Sequence, residues 1–80
     1  MTNDAHVQSL MDTVKRGYRR EEELYAQEER YTSAGNKSMR DDISRKRSAL
    51  RSEIERAEQE LLSAGYYTEV SSRGVNFPKK

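Results

Sequence analysis

Between Ile43 and Ala64, the residues Ile43, Arg47, Leu50, Ile54, Ala57, Leu61 and Ala64 recur at alternating steps of four and three. This is a heptad seam with one charged member, and it commits the stretch to a helix whose narrow apolar stripe must be covered by another helix. Nothing else in the chain rises to a chemical signature that names a substrate, a reaction or a specific partner. The sequence therefore speaks first about architecture and about which faces remain for contact.

A preceding helix supplies the cover. Asn3 or Asp4 can cap it, and Val7, Leu10, Met11, Val14, Tyr18, Leu24, Tyr25 and Tyr31 give it an apolar side wider than that of the second helix. The spacing predicts the first helix over about residues 4–33, a turn over 34–38 with Gly35 as its stop, and the second helix over about 39–64. Ser38 or Asp41 can cap the second helix, and Gly65 suits its left-handed end. Beyond Gly65 the period changes. Tyr66 to Val70 are strand-formers, Ser71 to Gly74 read as a loop, Val75 to Phe77 can return, and Pro78 stops regular pairing. The expectation is a short β-hairpin over part of residues 65–80, held to the helices by Tyr66, Tyr67 and Phe77.

An antiparallel fold-back is tested by register, because facing residues must then have position numbers of nearly constant sum. Tyr31 with Ile43, Leu24 with Leu50, Gly17 with Ala57, Leu10 with Ala64, Glu28 with Arg47, Glu21 with Ile54 and Val14 with Leu61 satisfy this to within one. The register sets the acidic Glu28 against the basic Arg47, and this pair reads as a register-setter. It also lays basic blocks beside acidic ones, with Arg19 near Glu55, Arg16 near Glu58, Glu23 near Arg51 and Glu29 near Arg45. The expected fold is mainly α: an antiparallel, coiled-coil-like two-helix hairpin in one small domain.

Composition sharpens what such a chain can do. Eighty residues bury too little apolar surface for a robust core, so oligomerisation is an expected supplement. Charged residues make up 36% of the chain, yet Lys+Arg 15 and Asp+Glu 14 nearly cancel. The mean hydropathy of -1.17 would suit disorder, but apolar residues kept in register over three heptads decide for helices. With no cysteine, disulfides and Cys-based zinc sites are excluded. No apolar run reaches a membrane span and no secretion signal opens the chain, so a soluble, cytoplasmic protein without a membrane partner is expected.

Three constellations invite a functional reading. Met11, Tyr18 and Tyr25 form a stripe beside the seam that the intramolecular pairing does not consume, and its expected use is a dimer face building a four-helix bundle. A heteromeric protein partner is the rival occupant. Arg16, Arg19 and Arg20, with Arg45 and Lys46, form basic patches that suit phosphate contact, although the near-balance of charge lacks the excess of a dedicated nucleic-acid binder. Carboxylates are plentiful, but the single imidazole, His6, is an exposed helix-entry residue by position, and no catalytic set, metal-ligand set or cofactor loop can be assembled. The expected function is a non-enzymatic interaction protein, a self-associating regulator, inhibitor or assembly factor of the size carried by phages and mobile elements. The alternative is a nucleic-acid-binding accessory protein.

Overall fold

The computed structural model describes residues 2–80, with side chains from Asp4 onward. The order is α1 (Thr2–Ser33), α2 (Lys37–Ser63), β1 (Glu69–Ser71) and β2 (Gly74–Asn76). The helices run antiparallel, and the strands form a two-stranded antiparallel sheet in the register Glu69↔Asn76, Val70↔Val75, Ser71↔Gly74. The architecture is mainly helical, as the periodicity requires. Its extents of 50 × 23 × 16 Å describe a short rod.

Both helices end in the same device. Gly35 adopts φ 73° and Gly65 φ 99°, backbone that favours glycine. The amide of Asn36 donates to Tyr31 O at 2.9 Å and that of Gly35 to Thr32 O at 3.1 Å; the amide of Tyr66 donates to Leu61 O at 2.9 Å and that of Gly65 to Leu62 O at 3.1 Å. These are paired Schellman closures that satisfy the last carbonyls of each helix. At the first, Asn36 also caps α2, its side-chain oxygen accepting from the Met39 amide at 3.2 Å. The cap is therefore Asn36 rather than Ser38 or Asp41, because the turn is tight enough to start α2 at once. At the other end α1 already includes Thr2, which places Asp4 inside the first turn, where it favours the helix dipole without capping. The Asn3 side chain lies outside the described residues.

The core gathers Leu10, Val14, Ile54, Ala57 and Leu61, with Val14, Ile54 and Leu61 fully buried. Each such aliphatic side chain contributes about 1.5–3 kcal/mol on burial. Leu24 and Ile43 are buried apart from that cluster, nearer the turn. Gly17 is buried, and a Cβ built on it would lie 2.5 Å from Ile54 Cγ1. Gly17 thus meets Ile54, one turn from the expected Ala57, because each seam residue of an antiparallel pair sits between two partners rather than squarely opposite one.

The expected β-hairpin is present but shorter, with Ser72 and Arg73 as a two-residue turn before Gly74 at φ 122°. Pairing does not end at Pro78. The Tyr67 amide donates to Pro78 O at 2.8 Å, the Lys80 amide donates to Gly65 O at 2.9 Å, and Tyr66 bridges Lys79. Proline lacks a donor but keeps its carbonyl, so the chain can be braced through it.

Candidate interaction surface

The flank that carries Met11, Tyr18 and Tyr25 is where the helices, the hairpin and most cross-helix polar contacts meet. Met11 and Tyr18 pack against the core cluster, as do Tyr66, Val75 and Phe77 from the segment after α2. Lys15, one helical turn from both Met11 and Tyr18, holds its ammonium 5.8 Å from the Phe77 ring centroid. The segment after Gly65 therefore lies along this flank and covers its Met11 and Tyr18 portion. The stripe is not left free, which corrects the reading from the seam alone. The segment after α2 adds Tyr66, Val75 and Phe77 to the cover that α2 side chains give this flank.

Tyr25, one heptad beyond Tyr18, lies outside that cover and is 50% exposed. Its ring carries the Arg47 guanidinium at 3.7 Å, and Arg47 also forms an ion pair with Glu28. Both partners of that pair keep about a quarter of their side-chain surface exposed, so the seam is polar here without being sealed. One turn along α2, Arg51 lies 3.6 Å from Glu21, 3.5 Å from Glu55 and 5.6 Å from the Tyr18 ring. The Tyr18 hydroxyl donates to Glu58 at 3.1 Å. Burial, followed by the charge of Glu58, pushes the Tyr18 phenol above its ordinary value. Burial alone would lower Arg51, but the facing Tyr18, Glu21 and Glu58 more than offset it and hold the guanidinium above its ordinary value.

None of the four cross-helix pairs expected around the seam forms among the described residues. Glu23 pairs with Arg20 at 2.9 Å and Arg45 with Asp42, both within one helix, while Glu55 pairs with Arg51 and Glu58 with Tyr18. Exposed pairs contribute at most about 1 kcal/mol, so for Glu23 and Arg45 the short intrahelical reach wins over the span across the groove. Of the basic patches, Arg20 and Arg45 are thus neutralised locally, whereas Arg16, Arg19 and Lys46 make no ion pair among the described residues. Arg45 and Lys46 face the level of α1 about 12 Å beyond Arg20, which splits the five residues into two groups.

Tyr67 is 51% exposed beneath the Lys80 ammonium at 6.0 Å, and Val70 is 55% exposed on β1. His6 is exposed, 3.7 Å from Glu60, a contact that sequence periodicity gave no sign of. Among the described residues no group of three or more His, Asp or Glu gathers to hold a metal ion, and no helix is long and apolar enough to cross a membrane. Comparison with protein-family models, with curated proteins and with solved structures finds no match.

Proposed function

We propose that this chain is a non-enzymatic interaction protein that self-associates through the half of the hairpin nearest the turn, two copies forming a four-helix bundle. The carrying observation is the flank around Tyr25: Met11 and Tyr18 pack against the core cluster with the segment after Gly65, whereas Tyr25 stays 50% exposed with the Arg47 guanidinium on its ring. The area agrees. The fold exposes 6035 Å² at 9.3 kDa, where a compact monomer of this mass exposes about 5,000 Å². The surplus of about 1,000 Å² is close to the roughly 800 Å² each partner buries in a standard interface. The radius of gyration of 15.1 Å likewise exceeds the about 12 Å of a compact chain of this length.

A second copy is the occupant because the flank complements itself. Glu28 pairs with Arg47 and Glu21 lies 3.6 Å from Arg51, so the flank presents neutralised pairs that a copy related by a twofold axis meets without net repulsion. The role this suits is that of a small regulator, inhibitor or assembly factor acting by contact. Sedimentation equilibrium should give a mass that rises toward the dimer with concentration and falls to the monomer in Tyr25→Glu, whose exposed position leaves the fold intact by circular dichroism. A strict monomer at high micromolar concentration, unchanged by Tyr25→Glu, overturns the proposal.

A further inference from the structure

The near-balance of charge along the chain conceals a local sorting of it. From Gly65 onward the only carboxylate side chain is Glu69, against Arg73, Lys79 and Lys80. The fold fixes the last two of these cations. The Tyr67 amide to Pro78 O, the Lys80 amide to Gly65 O and the Tyr66–Lys79 bridge tie the strand carrying them to the end of α2. Lys15 joins them from α1 by reaching over Phe77, only two residues before Lys79. Lys15, Lys79 and Lys80 take no carboxylate partner among the described residues, and the contacts that hold Lys15 and Lys80 are aromatic faces. An ammonium about 6 Å from a ring centroid is at the outer limit of that attraction and keeps its charge available to an anion. Asp12 stands one turn before Lys15, and Glu58 on the α2 side is engaged by the Tyr18 hydroxyl.

Cations held by a braced main chain and near aromatic rings, beside a half-exposed ring, suit a flexible polyanion with stackable bases: phosphates at the ammonium groups and a base on the Tyr67 face. We infer that the segment after Gly65, together with Lys15, is a docking surface for single-stranded nucleic acid, with Lys15, Lys79 and Lys80 as phosphate contacts and Tyr67 as a stacking platform. A duplex is not the occupant, because its stacked bases cannot reach a single ring. The surface is distinct from the Tyr25 flank and does not depend on self-association.

Fluorescence anisotropy of the full chain with a labelled oligothymidylate tests this. Three phosphate contacts on a single strand predict an affinity loss of about 20-fold between about 50 and 200 mM salt. Lys79→Glu with Lys80→Glu should weaken binding at least tenfold and Tyr67→Ala about tenfold, while Tyr67→Phe retains it, since the ring carries the stacking. Arg45→Glu, at the far end of the rod, should leave the affinity within twofold. Circular dichroism accompanies each variant, and the lysine changes leave the bracing main-chain bonds in place. No binding at low salt, equal losses in Arg45→Glu and the Lys79/Lys80 variant, or tighter binding to anionic lipid vesicles than to the oligonucleotide overturns the inference.

Discussion

Adding one methyl group at Gly17 sets two well-calibrated effects against each other. In an exposed helix interior Gly→Ala stabilises by about 1 kcal/mol, because alanine loses less backbone freedom. Here the new Cβ would fall 2.5 Å from Ile54 Cγ1 and 2.9 Å from its Cδ1, well inside the contact distance of two carbons. Ile54 is fully buried and β-branched, so it cannot swing away, and overpacking of this kind costs about 1–3 kcal/mol. An overlap this deep belongs at the upper end, leaving Gly17→Ala destabilising by about 2 kcal/mol net, a large share of the about 4–12 kcal/mol available to a chain of this length. Urea unfolding followed by circular dichroism, at one fixed protein concentration, should show the midpoint falling by about 1–2 M at the low slope of a chain this small. Ile54→Ala removes the colliding atoms and itself costs about 2–5 kcal/mol; in that background the same Gly17→Ala change should become favourable by about 1 kcal/mol. An excluded osmolyte keeps the doubly changed chain folded for the comparison if needed. A midpoint that rises on Gly17→Ala in the parent chain, or an equal change in both backgrounds, refutes the close approach.

Arg47→Ala removes both the Glu28 pair and the cover on Tyr25, and at about a quarter exposure the expected loss is about 1–3 kcal/mol by urea unfolding, with Arg47→Lys recovering only part because it lacks the flat guanidinium. Tyr18 has a folded-state pKa raised above the unfolded value, so its contribution is complete below about pH 10 and is lost as pH rises from there through the folded value; Tyr18→Phe should remove that part of the alkaline loss, and Glu58→Gln should shrink it. Phe77→Ala should cost about 1–3 kcal/mol and raise binding of an apolar dye, since it uncovers the Met11 and Tyr18 flank; an unchanged stability and dye signal would mean that the β-hairpin does not cover this flank.

The helical hairpin was legible because its signal is long and periodic. Over Ile43 to Leu61 the seam survives one charged member, and the constant sum of facing positions specifies both the fold-back and the facing of Glu28 with Arg47. What the pattern could not resolve was the half-step between partners, which moves Gly17 from Ala57 to Ile54, since both fit an antiparallel stripe. The surface pairs around it are illegible for an energetic reason: Arg51 reaches both Glu21 and Glu55, Arg20 and Arg45 settle on a carboxylate of their own helix, and differences below about 1 kcal/mol decide such choices. The flank is harder to read because residues that pack beside it come from far along the chain. Val75 and Phe77 alternate as strand residues with one apolar face, and that was the available sign that the segment needed somewhere to lie. The cation cluster beside it depends on the same docking, and no local motif announces it.

The Phe77 contact has a further consequence. The groove beside Met11 and Tyr18 is filled by a ligand that belongs to the same chain, tethered by the short run from Gly65. Such a tether sets a local concentration in the millimolar range, so an outside competitor must exceed that value in affinity terms before it can enter.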